Sequence, residues 1–290
     1  MIRIVEVGPR DGLQNEPAPL PTAAKIAFID ALSATGAGEI EATAFVSPKW
    51  VPQLADAERV MAGIRRAPGV VYSALVPNQK GLERALGARA GKVAVFTAAS
   101  ETFNRKNTNA SIAESFHRFE PVVRGARAAG LPLRGYVSTA FWCPYEGRIP
   151  PARAVAVARR LAEELGIDEV SIGDTIGRAT PEEVRVLLDL LLPHLAAARL
   201  AMHFHDTYGH AVENALAARE RGVSTFDASA GGIGGCPYAP GASGNVATEA
   251  LVEALRAAGA EVRMDLAALG RARAAIARAL GRELEPGGRA

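Results

Sequence analysis

The chain is expected to fold as one (β/α)8 barrel, an α/β fold, carrying a short helical extension at its C-terminal end. Three observations predict it. Apolar runs that read as strands begin near Ile2, Glu39, Val70, Val93, Leu133, Glu169, Leu200 and Thr225. Amphipathic stretches separate them, among them Thr22 to Ala34, Ser111 to Ala129, Pro151 to Leu165 and Pro181 to Leu195. About eight alternating β–α units in roughly 250 residues make parallel strands that close on themselves inside a ring of helices.

The first strand, Ile2 to Val7, breaks at Gly8-Pro9 and runs into Arg10-Asp11-Gly12-Leu13-Gln14. A permanent cation and a carboxylate thus meet at a strand end. Arg10 suits a carboxylate or an enolate oxygen, and Asp11 suits a hard cation; the bland alternative is a turn pair that neutralises itself. In the second strand Glu41 comes late, and Lys49 follows in the next loop. Arg105 and Lys106 are read as loop residues after the fourth strand, where the plain reading is a solvated basic rim. After the fifth comes Phe141-Trp142-Cys143-Pro144-Tyr145, where Cys143 is read as structural.

The sixth strand ends at Asp174, and Thr180-Pro181-Glu182-Glu183 carries the cap, proline and acidic first turn of a helix start. The seventh holds Met202-His203-Phe204-His205-Asp206. Two residues apart in a strand, His203 and His205 point to one face, which suggests a metal, although two imidazoles alone do not select one. After the eighth strand, Gly231 to Asn245 places six glycines around Cys236 and ends at Asn245, which is expected to open a helix. So many glycines suit a loop that closes over a bound molecule and brings a thiol to it. Glu249, one turn after Asn245, is expected to orient it. Helices from about 259 to 285 are added after the barrel, and Pro286 to Ala290 reads as an unstructured tail.

Chemistry in such barrels occupies the loops after the carboxyl ends of the strands. Arg10, Asp11, Glu41, Asp174, His203, His205 and the glycine loop all fall there. Strands one, seven and eight become neighbours on closure, so Asp11, both histidines and Asn245 can converge on one ion.

Composition bounds the rest. With 290 residues, 49% hydrophobic content and a net charge of +2, the chain suits one compact domain and offers no basic patch for nucleic acid. No apolar run has the length of a membrane span, and a strand starting at residue two leaves no room for a leader, so the expected location is the cytosol. A disulfide between Cys143 and Cys236 is not expected in a reducing compartment.

Together, Glu6 to Glu16, Phe45 to Gln53, Gly173-Asp174-Thr175-Ile176-Gly177, His203 to Gly209 and the glycine–cysteine loop resemble the hydroxymethylglutaryl-CoA lyases, over about residues 4 to 280. The Arg-Asp and His-X-His pairs are common to the wider group of metal-dependent Claisen-type barrels, whereas the cysteine loop and the Gly-Pro before Arg10 resemble the lyase. The resemblance implies that Asp11, His203, His205 and Asn245 ligate a divalent metal, Mg²⁺ or Mn²⁺, that Arg10 contacts substrate, that Cys236 is catalytic and that Glu41 belongs to the site. It also implies an acyl-CoA substrate and a homodimer.

The implied reaction cleaves 3-hydroxy-3-methylglutaryl-CoA to acetoacetate and acetyl-CoA, with His203 or Cys236 handling protons and Asp174 and Glu249 in support. Lys49, Arg105 and Lys106 are the candidates for coenzyme A phosphates. Trp142 stands where a small residue is expected; reaching the cavity, it would favour a longer 3-hydroxy-3-alkylglutaryl thioester. The competing classes are an acyl-CoA condensing enzyme or a pyruvate-releasing aldolase on the same barrel, and a catalytically silent binding barrel.

Overall fold

The structure, a computed structural model, describes residues 1–235 and 244–287. Eight parallel strands close into a barrel: β1 (Arg3–Glu6), β2 (Glu39–Ala44), β3 (Val71–Leu75), β4 (Lys92–Ala98), β5 (Leu133–Ser138), β6 (Glu169–Asp174), β7 (Leu200–Phe204) and β8 (Thr225–Ala228). Each begins within one residue of its expected position. Closure is made by β1 pairing with β8, Arg3 opposite Thr225 and Glu6 opposite Ala228.

Around the strands run α1 (Thr22–Leu32), α2 (Ala57–Gly63), α3 (Gln79–Gly87), α4 (Glu101–Thr108), α5 (Ile112–Ala128), α6 (Pro151–Glu163), α7 (Pro181–Leu191), α8 (Ala211–Glu220), α9 (Thr248–Ala257) and α10 (Leu266–Leu280). The expected capping device is present at α7, where Thr180 accepts from the Glu183 backbone and Glu183 reaches back to Thr180. Only one described helix, α10, follows α9, in place of the several expected; it packs on α1. Residues 288–290 of the expected tail lie outside the described residues. Among the described residues no helix is long and apolar enough to cross a membrane.

Strand alternation divides the molecule into an apolar shell and a charged lumen. Ile4, Ile40, Val93, Val170, Ile172, Met202 and Phe226 face the helices and join one continuous apolar core. The residues between them, including Arg3, Glu39, Arg134, Glu169, Ser171 and Asp227, face the barrel axis. At the floor, Lys92 Nζ donates to Glu39 Oε2 at 2.9 Å and to Glu169 Oε1 at 2.8 Å, and Arg3 pairs with the same two carboxylates. Higher up, fully buried Arg134 donates to Asp227 Oδ1 at 2.5 Å. Burial costs these charges several kcal/mol each unless paired, so the pairing holds strands from opposite sides of the barrel in fixed relation.

Candidate active site

The carboxyl mouth of the barrel gathers the predicted residues. After β1 the chain folds into a tight turn in which the backbone N–H groups of Arg10, Asp11 and Gly12 approach the carbonyl of Val7 at 3.1, 2.8 and 3.3 Å. That turn points both side chains over the lumen. Arg10 Nε donates to Glu41 Oε2 and its Nη1 to Asp11 Oδ1, each at 2.6 Å. Gripped from two sides, the guanidinium also packs 5.4 Å from the centre of the Tyr136 ring, which further meets Arg134 at 4.9 Å and the His203 ring edge-on at 6.3 Å.

His203 and His205 share a face, as the strand spacing requires, with ring centroids 5.2 Å apart. Their Nε2 atoms approach the same oxygen, Asp11 Oδ2, at 3.8 and 3.7 Å. Asn245 completes the group: it forms an isolated bridge with His205, and its Nδ2 donates to Asp11 Oδ2 at 3.0 Å and to the carbonyl of Ile233 at 3.1 Å. Gly234 permits that approach. Its φ of +147° is uncongenial to other residues, and a Cβ there would lie 2.8 Å from Asn245 Nδ2.

The electrostatics follow from burial and charge count. Burial opposes ionisation of Asp11, but Arg10 and the two imidazoles hold its carboxyl well below the usual range. Burial also opposes a charged His203, yet Asp227 and Asp11 raise its pKa. For Glu41 burial wins over Arg10, and its pKa rises. One guanidinium faces two carboxylates here, and one atom each from Asp11, His203 and His205 lie mutually within 4.8 Å. Two imidazoles and a carboxylate converging with a deficit of positive charge fit a divalent cation.

A cavity of about 1270 Å³ opens above this group, lined by Arg10, Asp11, His203, His205 and Tyr136 at its base. Arg105, Lys106 and Arg118 line its rim together with Trp50, which is 81% exposed. That volume exceeds an ordinary small-ligand pocket.

Several expectations are corrected by this geometry. Arg105 and Lys106 lie on helix α4, directly after β4, and not in a loop. Lys49 is absent from the cavity lining while its neighbour Trp50 is present. Asn245 precedes α9, which starts at Thr248, so Glu249 is turned away from it. Glu249 instead accepts from the backbone of Gly231 at 2.9 Å and faces Arg273 at 3.3 Å, steadying the entry to the glycine loop. Asp174 stays outside the Asp11–histidine group: it accepts from the N–H groups of Arg178 and Ala179 and builds the turn after β6. Burial lifts its pKa to about 6.

Trp142 also lies away from the cavity. It belongs to a two-stranded ribbon, donates through Nε1 to Glu183 at 3.2 Å and stacks under Arg178, so the longer acyl chain has no support from it. Cys143 is buried with its Sγ 3.1 Å from Ser100 Oγ, in keeping with a structural role. Cys236 and the lid expected around it lie outside the described residues.

Tyr136, Arg134 and Asp227 were not anticipated from sequence. Their signal is period two: Glu39 with Glu41, Arg134 with Tyr136, and Asp227 two after Thr225 put polar groups on the inward face of otherwise apolar strands.

Fold and site define a (β/α)8 barrel with a centre of two histidines and one carboxylate, and a guarded arginine, at its carboxyl mouth. The chain belongs to the HMGL-like family, whose profile matches residues 1–276. It is 52% identical over 282 residues to the mitochondrial hydroxymethylglutaryl-CoA lyase of Rattus norvegicus, covering 97% of this chain and 86% of that one. Against the solved HMG-CoA lyase of Brucella melitensis the TM-score is 0.94 at 53% identity, covering 96% of this chain and 98% of that one. An HMG-CoA lyase from Acinetobacter baumannii, solved with coenzyme A and 3-methylmalate, superposes with a TM-score of 0.93 at 39% identity, covering 98% and 92%.

Proposed function

We propose that the protein cleaves 3-hydroxy-3-methylglutaryl-CoA to acetoacetate and acetyl-CoA, a carbon–carbon lyase reaction. The observation that carries this reading is Arg10, clamped by Glu41 and Asp11 beside the two histidines, in a chain about half identical to HMG-CoA lyases along nearly its whole length. The C3 hydroxyl gives up its proton, the C2–C3 bond breaks, C3 becomes the ketone of acetoacetate, and the electron pair passes into the enolate of acetyl-CoA. Protonation at C2 completes the second product.

Asp11, His203 and His205 hold a divalent ion on this reading, with Asn245 adding its amide oxygen. Mg²⁺ or Mn²⁺ suits two imidazoles, a carboxylate and substrate oxygens, and such an ion acidifies a hydroxyl that it binds. Arg10 meets the enolate oxygen, a charge that develops only as the bond breaks, which makes its fixed position useful for rate. Cys236 serves as the proton-handling group, since His203, with Nε2 turned to the ion and Nδ1 to Asp227, keeps no nitrogen free for the proton. Arg105 and Lys106 on α4 face the phosphates of coenzyme A across the rim, and Trp50 offers an exposed ring for the nucleotide end. A homodimer in the cytosol is the working form.

The test supplies purified protein with Mg²⁺ and 3-hydroxy-3-methylglutaryl-CoA and measures both products. Equal amounts of acetoacetate and acetyl-CoA are expected. Absence of cleavage, together with pyruvate-forming or 2-oxo-acid-condensing activity, rejects the assignment.

A further inference from the structure

Asp227 stands directly opposite His203 in the register between β8 and β7, and the two side chains face the lumen together. His203 Nδ1 and Asp227 Oδ2 are 3.2 Å apart, with both residues buried. The carboxylate is pinned by two further donors. Arg134 Nη2 donates to Oδ1 at 2.5 Å from the far side of the barrel, and Ser171 Oγ donates to Oδ2 at 3.0 Å. An aspartate receiving three donors in a fixed frame has one orientation. It presents only an acceptor to His203, so the neutral ring must carry its hydrogen on Nδ1 and keep the Nε2 lone pair toward Asp11.

We propose that Asp227, held by Arg134 and Ser171, is the positioning residue that sets the tautomer of His203 and so makes its Nε2 available to a divalent cation. The inference rests on the reading of Asp11, His203 and His205 as the cation site. Carboxylates placed behind ligating histidines are known to act in this way, and losing one costs on the order of 10–100-fold in metal affinity. Here the argument goes further because Arg134 dictates what an amide would do. In Asp227→Asn the amide oxygen is drawn to Arg134, which requires an acceptor, and the NH₂ is left facing His203. The NH₂ donates to Nδ1, the ring hydrogen moves to Nε2, and the lone pair on the cation side is lost.

Two measurements test it. Long-range ¹H–¹⁵N spectra of ¹⁵N-histidine-labelled, metal-free protein in mildly alkaline buffer report which nitrogen carries hydrogen, the His203 signals being assigned by their loss in His203→Gln. The hydrogen is expected on Nδ1 in the unsubstituted protein and on Nε2 in Asp227→Asn. Calorimetric titration with Mn²⁺ should show affinity about 10–100-fold weaker in Asp227→Asn, largely restored in Asp227→Glu, with KM for the thioester at saturating metal changed much less than the metal requirement.

Hydrogen on Nε2 in the unsubstituted protein overturns the inference, and this spectrum decides the matter even where Asp227→Asn fails to fold. Unchanged Mn²⁺ affinity in a folded Asp227→Asn overturns it as well. Protein that binds Mn²⁺ with hydrogen on Nδ1 of His203 yet cleaves no thioester defeats the lyase reading and leaves the role of Asp227 standing.

Discussion

Asn245 donates to Asp11 Oδ2 at 3.0 Å although the two residues are separated by 234 positions in the chain. The same NH₂ group also reaches the carbonyl of Ile233, so one amide ties the turn after β1 to the segment after β8.

Asn245→Ala removes that tie and strips two buried acceptors of their donor. Mn²⁺ affinity is expected to fall by about 10–100-fold, and stability by about 1–3 kcal/mol. Calorimetric titration and urea unfolding check the two effects separately. Unaltered affinity would show that the Asn245–Asp11 contact does not shape the ion site.

Arg10→Met is expected to fold and to lose on the order of 10²–10⁴ in kcat, the range for removing a group that meets transition-state charge. Thioester binding should change far less. A raised KM with kcat intact would make Arg10 a binding group alone.

Lys92→Met tests the lumen apart from the chemistry. It takes the shared ammonium from Glu39 and Glu169 at the floor and leaves Arg3 as their common cation, so the loss is expected to stay below the ~3–5 kcal/mol of a buried charge left wholly unpaired. A lower urea midpoint with unchanged Mn²⁺ affinity is the expected result. Equal stability of variant and parent would mean that the floor pairs contribute nothing net.

Glu6 gives a pH dependence with a definite sign. Burial drives its pKa from 4.5 to about 8, despite donors from Gly8, Ala230 and Thr248. The folded state therefore keeps a proton that the unfolded chain releases. Stability from this group is complete below about pH 4.5 and is lost as pH rises toward 8. Glu6→Gln mimics the protonated form and removes the term, so the variant should gain on the parent as pH climbs through that window. Parallel stability curves for the two proteins would refute the assignment.

The barrel was legible in the chain because strand and helix periods differ, and closure follows once eight units are counted. The convergence of Arg10, Asp11, His203, His205 and Asn245 was legible because these residues cluster at strand ends in short polar motifs. What lies beneath was hidden. Arg134 and Asp227 are single charges in apolar strands, 93 positions apart, and only the register across the barrel reveals them as partners. Glu249 was misread because helical spacing was extended back to Asn245, whereas α9 begins at Thr248 and the preceding residues follow the strand edge. Trp142 was weighed as a pocket residue because the ribbon that carries it away has only two residues per strand, too short to register as periodicity.

The pairing of β1 with β8 has a bearing on synthesis. A cation centre drawing on residues 11 and 245, as proposed, could not exist in a nascent chain until nearly all of it had left the ribosome. Before then the two histidines of β7 lack the carboxylate geometry that closure provides. On the proposed cation site, uptake of an ion would be a terminal event and a reporter of completed topology: fragments ending before β8 should hold none, while two halves cut between α4 and α5 should regain affinity only on reassociation.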